Sequence, residues 1–283
     1  MKHSMLESFK DLEGLPSLPG QIMNMLEESS RTSTMDYNVI QLIQYDPAIA
    51  LRVLKKANSP LYGFSGKIAS VQQALGLLGP AAIKNIILTT PILERFRDFN
   101  SIDLDIDFPR LWRYMGITSA IAGGLARIRG NMETDVCFTA GLTHDAGKIA
   151  LAVQYPALFQ KALNLCSEKS IPLALAEGEV FGFTHTDVLV VLAKKWKFPH
   201  QLIHAVSACC LTRMEEVVYE LPSVICLAKH LADSWGYADG IDTHTPMNIG
   251  KVLEVLNISE GELKSWEPQL REQLDAALSV IGE

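Results

Sequence analysis

The sequence has no long hydrophobic run, little cysteine and no excess of positive charge, and each shortage excludes something. Its apolar stretches, such as the one from Ile86 to Leu93, break well short of the ~20 residues that a helix needs to cross a bilayer. Five cysteines, an odd number with no Cys-x-x-Cys and with Cys209 and Cys210 adjacent, do not make a disulfide framework and suit a reducing compartment. A net charge of −7 and a pI near 5.5 leave no global positive field to hold a phosphate backbone. Aromatic residues are only 7% of the chain, and 13 Pro with 19 Gly among 283 residues exclude collagen, coiled coil and whole-chain disorder. The N-terminus reaches Glu7 before any apolar run and so does not read as a signal peptide, which makes a cytoplasmic protein the expectation.

What is present is helical. Apolar residues recur with helical spacing in Val39, Ile40, Leu42, Ile43 and again in Ile49, Ala50, Val53, Leu54, Ala57. Ser33 with Asp36, Ser70 with Gln73, Thr184 with Asp187 and Ser259 with Glu262 have the spacing of helix N-terminal caps. Asp46-Pro47 and Gly79-Pro80 place proline where a helix starts, and Gly79, Gly130 and Asn58 stand where a left-handed C-terminal residue is wanted. The expectation is about a dozen helices and no strand. The stretch from Phe99 to Pro109, with Asp103, Asp105 and Asp107, lacks helical period and reads as a junction. It has Phe108 and Tyr114 where a calcium loop needs Gly and Glu, so it reads as a solvated linker. Three segments follow: an N-terminal helical lobe over 1–107, a second lobe over 108–236, and a C-terminal extension of amphipathic helices over 237–283.

The first lobe carries an ordered series: Leu15-Pro16-Ser17-Leu18-Pro19, Asp46-Pro47-Ala48, Leu51, Ala57-Asn58-Ser59, Ile68, Ser70, Gln73-Ala74 and Leu78-Gly79. From about Leu15 to Ala232 the chain resembles the HDOD family, the HD-related output domains of bacterial signalling proteins. The resemblance implies an all-α array of two helical lobes, the second similar to the HD-domain fold. Arg52, Lys55, Lys56, Lys67 and Lys84 invite comparison with a helix-turn-helix, but the Ser59–Ala69 linker far exceeds that motif's 3–4-residue turn. A solvated face is the better reading.

In the second lobe, Gly141-Leu142-Thr143-His144-Asp145-Ala146-Gly147-Lys148 joins a neutral nitrogen donor to an anionic oxygen, with a lysine nearby. It resembles the signature of HD-type metal-dependent phosphohydrolases. A catalytic metal needs at least three protein ligands and an open position for water. By the resemblance the missing ligands would be a histidine where this chain has Tyr114, an aspartate where it has Lys229, and a histidine pair where it has Cys209 and Cys210. Only His185 joins His144 and Asp145 at an expected position. A neutral phenol is a poor ligand at pH 7, and Lys229 would put a cation where a divalent ion should sit, pairing with Asp145.

The expectation is therefore a vestigial site of His144, Asp145, His185, Tyr114, Lys229, Lys148, Cys209 and Cys210, with no catalytic residue and no cofactor. If one divalent ion did bind, His144, Asp145 and His185 would hold it. His230 with Asp233, or thiolates of Cys209 and Cys210, would be the other routes to a ligand set. The function that follows is non-catalytic regulation by binding a signalling partner, such as a kinase, a cyclase or a second HDOD chain. A nucleotide-like ligand between the lobes is the other occupant considered, and neither membrane nor nucleic acid is expected. The alternative is a divergent phosphohydrolase acting on a nucleotide or cyclic dinucleotide. His200 and His204 read as a polar helix face, and Trp112, Trp196, Trp235 and Trp266 as packing residues.

Overall fold

The computed structural model describes residues 2–13, 15, 17, 37–90, 104–207, 219–242 and 249–281. Among them every regular element is a helix: α1 (Lys2–Ser8), α2 (Tyr37–Gln44), α3 (Pro47–Ala57), α4 (Val71–Thr89), α5 (Phe108–Arg129), α6 (Thr134–Thr143), α7 (Ala146–Gln154), α8 (Pro156–Lys169), α9 (Leu173–Val180), α10 (His185–Lys195), α11 (His200–Ser207), α12 (Glu220–Ser234), α13 (Ile249–Leu256) and α14 (Glu260–Ile281), with short 3-10 turns at Phe9–Asp11 and Pro60–Tyr62. None is long and apolar enough to cross a membrane.

The helix boundaries are set by local chemistry. Asp46 accepts the Ile49 N–H at 2.8 Å ahead of Pro47, and Asp107 accepts the Arg110 N–H at 3.0 Å, which gives the last acid of the Asp103–Asp107 run a capping role. Thr184 and Asp187 form a reciprocal capping box at the start of α10, and Ser70 and Ser259 cap α4 and α14. Ser33 and Asp36 lie outside the described residues. Gly130 ends α5 in the expected left-handed conformation.

Two boundaries depart from the sequence reading. Gly79 has φ +72° but ψ 168°, so it is a kink inside α4, not a left-handed cap, and Pro80 restarts the helix beyond it. Asn58 is not left-handed at all, with φ −84°. Its side chain ends α3 by other means: Nδ2 donates to the Leu54 and Ile68 carbonyls, and Oδ1 accepts the Lys67 and Ile68 N–H groups. An amide with both faces engaged replaces special backbone geometry.

The core is continuous across the expected lobes. α5 is its axis: α6, α12 and α14 pack on it, and α3 meets both α5 and α6. Val71 N–H donates to Thr139 Oγ1 at 3.1 Å, tying α4 to α6. Residues 2–11 fold back onto the second lobe, where Phe9 stacks edge-on against Tyr155 and Phe183. The C-terminal helix is pinned to α5 by buried Leu270 and Leu274. Fully burying one such leucine or phenylalanine contributes ~1.5–3 kcal/mol. Trp112 and Trp196 are buried, and Trp235 stacks under the Arg271 guanidinium at 4.3 Å.

Candidate functional site

Two glycines of the His-Asp segment exist because other backbones pass too close for a side chain. A Cβ on Gly141 would lie 2.8 Å from the Ser119 Cα, so α6 can press directly on α5. A Cβ on Gly147 would lie 1.9 Å from the His185 carbonyl oxygen, so the start of α7 abuts the start of α10. These contacts place His144 and Asp145, in the turn between α6 and α7, against Tyr114 of α5, His185 of α10 and Lys229 of α12. His144, Asp145 and His185 are fully buried.

Asp145 is the hub. Its Oδ2 accepts from Lys148 Nζ at 2.7 Å, and its Oδ1 lies 3.7 Å from Lys229 Nζ. The imidazole Nε2 atoms of His144 and His185 stand 3.3 Å and 3.8 Å from the same carboxylate. Lys148 also donates to Asp239 Oδ2 at 2.7 Å, while Asp239 Oδ1 accepts the Ile241 and Asp242 N–H groups. Lys148 thus bridges two carboxylates while 99% buried.

Both imidazoles have their tautomers fixed. His144 Nδ1 lies 2.7 Å from the Gly141 carbonyl, which can only accept, so Nδ1 carries the proton. His185 Nδ1 faces Glu177 Oε2 at 2.7 Å, and the same oxygen accepts the His185 backbone N–H. Burial holds the His144 pKa below its ordinary value, so the ring is neutral and its Nε2 presents a lone pair. The His144 lone pair and the Asp145 carboxylate therefore converge, an arrangement that favours a nearby cation. Lys229 provides one.

The electrostatics agree. Burial opposes ionisation of Asp145, yet the Lys148 and Lys229 ammonium groups hold its carboxyl well below the usual range. Burial disfavours the Lys148 ammonium, but Asp145 and Asp239 raise its pKa well above the ordinary value. Burial drives the Tyr114 phenol well up, so it stays protonated, its ring 5.8 Å from the His144 ring. Asp233 is pushed by burial to about 6, beside Tyr114 and Lys229.

Of the residues singled out in the sequence, His144, Asp145, Lys148, His185, Tyr114 and Lys229 meet at one place. Cys209 and Cys210 lie outside the described residues. His200 and His204 share one face of α11 away from the cluster, His204 stacking on Tyr219 at 4.2 Å. Sequence reasoning missed Glu177 and Asp239. The first is one of two acids, with Glu179, in an otherwise small and apolar helix, eight residues before His185. The second lies just after α12, in the turn that follows Gly236-Tyr237-Ala238.

A divalent ion does not fit this donor set. Both oxygens of Asp145 face lysine ammonium groups, and beside the imidazoles of His144 and His185 the remaining expected donor positions hold a protonated phenol and a lysine. Among the described residues no three His, Cys, Asp or Glu side chains are arranged to hold a metal.

The HDOD domain family model matches residues 15–209. The chain belongs to the HDOD family. A response regulator, MmoQ of Methylococcus capsulatus strain Bath, has the same fold, with TM-score 0.68 and 23% identity over 90% of this chain and 98% of that one. A virulence factor from Campylobacter jejuni aligns with TM-score 0.67 and 19% identity over 93% and 99%. An uncharacterised protein of Treponema pallidum strain Nichols is 20% identical over 69% of this chain, which spans only 37% of that protein's length.

Proposed function

We propose that this HDOD chain is a non-catalytic regulator that acts by binding a signalling partner in the cytoplasm, and that its His-Asp cluster is a structural remnant of a metal site. The observation that carries this reading is the position of Lys229, 3.7 Å from Asp145 Oδ1. A tethered ammonium serves the charge that a divalent ion would otherwise serve, and it cannot polarise a phosphoryl oxygen or lower the pKa of a bound water as a metal does. The other buried lysine ties Asp145 to Asp239, so the cluster joins α7, α12 and the turn after α12 into one unit. The likeness in fold to a response regulator agrees with a regulatory role.

The test is elemental analysis of chain purified without chelator, together with turnover of a panel of nucleotides and cyclic dinucleotides in added Mn²⁺. The expected result is no stoichiometric metal and no turnover. Stoichiometric metal that disappears in His144→Ala, with hydrolysis lost in step, would overturn the reading in favour of a divergent phosphohydrolase.

A further inference from the structure

A second site lies elsewhere, lined by none of the residues of the His-Asp cluster. α3, α4 and the 3-10 turn at Pro60–Tyr62 enclose a cleft of about 650 Å³. That is within the range typical of small-molecule sites. Arg52, Lys55, Lys56 and Ser59 reach it from the end of α3, Leu61 and Tyr62 from the 3-10 turn, and Ala82, Asn85, Ile86 and Thr89 from α4, with Glu13 beside Lys55.

Among the described residues the charges in this cleft are not balanced from within. Glu13 is committed to Lys55 at 2.7 Å and to Lys195 at 3.7 Å. Lys55 also donates to the Glu13 carbonyl and lies 5.7 Å from the Trp196 ring centroid. Arg52 and Lys56 have no carboxylate at ion-pair distance among the described residues. The buried Arg52 Nε and the buried Ser59 Oγ find no hydrogen-bond partner. A half-buried guanidinium whose Nε has no acceptor is a costly arrangement, and an anion removes the cost. Beside these cations the wall turns apolar, with Leu61 76% exposed. Asn85 and Thr89 add hydrogen-bonding groups opposite.

We infer that this cleft binds a small phosphate ester with a flat, partly apolar body, of the nucleoside monophosphate class: the phosphate on Arg52, Lys56 and Ser59, the ring system against Leu61, Tyr62 and Ile86, and its polar edge towards Asn85. The size of the cleft accommodates one nucleotide with solvent, and an inorganic anion alone would leave the apolar part wet. This site is independent of the His-Asp cluster.

Calorimetric titration of the full chain with the four nucleoside 5′-monophosphates, the parent nucleosides and inorganic phosphate tests the assignment. At least one nucleotide is expected to bind with submillimolar affinity and more tightly than its nucleoside or phosphate. Arg52→Gln and Lys56→Gln are each expected to weaken it about tenfold or more. Lys56 is exposed, so its variant keeps the fold whatever Arg52→Gln does, and circular dichroism checks both. Absence of nucleotide binding, binding indifferent to both substitutions, or phosphate binding as tightly as the nucleotides would each overturn the assignment.

Discussion

Lys229 Nζ stands 3.7 Å from Asp145 Oδ1, on the side of the carboxylate that Lys148 leaves open. The two lysines differ in what they hold. Lys148 is shared between Asp145 and Asp239 and is fully enclosed, whereas Lys229 is 12% exposed and stands farther from Asp145, at 3.7 Å. Removing one partner of a buried pair costs ~3–5 kcal/mol, because the charge left behind has no solvent to turn to. Lys148→Met is therefore expected to lower unfolding free energy by about that amount, and Lys229→Met by roughly half, since Asp145 keeps Lys148. Urea denaturation at pH 7 measures both. Equal losses would contradict the bridging role of Lys148.

The same cluster sets a pH dependence. Asp145 and His144 both have pKa values lowered in the folded chain. A group with a depressed folded pKa contributes stability that is present above its unfolded pKa and lost as pH falls. Unfolded histidine titrates near 6.5 and unfolded aspartate near 3.9, so stability should begin to fall below about pH 6.5 and fall more steeply below about pH 4. His144→Gln, which stays neutral, should weaken the first phase, leaving the part due to His230, whose pKa burial also lowers, and should leave the second unchanged. Denaturation midpoints across pH 3–8 give the comparison, and an unchanged first phase in the variant would exclude His144 as its source.

Asp233 runs the opposite way. Its folded pKa, raised by burial to about 6, means that its contribution is present below its unfolded pKa and is lost as pH rises through about 6. Asp233→Asn should therefore be more stable than the parent at pH 8, by about 1 kcal/mol after screening of a partly exposed group, with the difference vanishing near pH 4. A variant less stable at pH 8 would mean that the attraction between Asp233 and Lys229 outweighs the burial cost.

How far the sequence could be read depended on whether a feature is local. Helix starts were legible because a cap, a proline and an apolar period lie within four residues of one another, as at Asp46 and Thr184. The meeting of Tyr114, His144, Asp145, His185 and Lys229 was legible only through family resemblance, since nothing in their spacing, up to 115 positions apart, implies contact. Glu177 and Asp239 fell outside that resemblance. Their roles depend on which way an imidazole and an ammonium turn inside the core, and local sequence carries no record of that. Asn58 shows the reverse error, in that a residue type known for left-handed backbone ends its helix with an ordinary φ and four side-chain hydrogen bonds.

That amide supports a sharp expectation. Asn58 ties the end of α3 to the segment that leads into α4, and Asn58→Ala would leave the Ile68 carbonyl and two N–H groups without their partner. At ~0.5–1.5 kcal/mol per hydrogen bond the loss is about 2–4 kcal/mol. Because the bonds close one loop, amide exchange at Lys67 and Ile68 should accelerate well beyond the global change. Uniform acceleration across the core would show that Asn58 acts through overall stability only.

The glycine of the His-Asp segment gives the most direct test of how α7 and α10 meet. A methyl group on Gly147 would collide with backbone, the His185 carbonyl at 1.9 Å, and not with a side chain able to swing away. The helix itself would welcome alanine, by up to about 1 kcal/mol in intrinsic propensity, so the sign of the measured change separates the two effects. Gly147→Ala is expected to destabilise the fold by about 3 kcal/mol or more, because α10 must move and His185 must leave Glu177 and the neighbourhood of Asp145 with it. The His185 imidazole resonances should shift in step, and its Nδ1–H, now held at Glu177, should exchange faster. A stabilised variant with unshifted His185 signals would show that the two helix starts are not in contact.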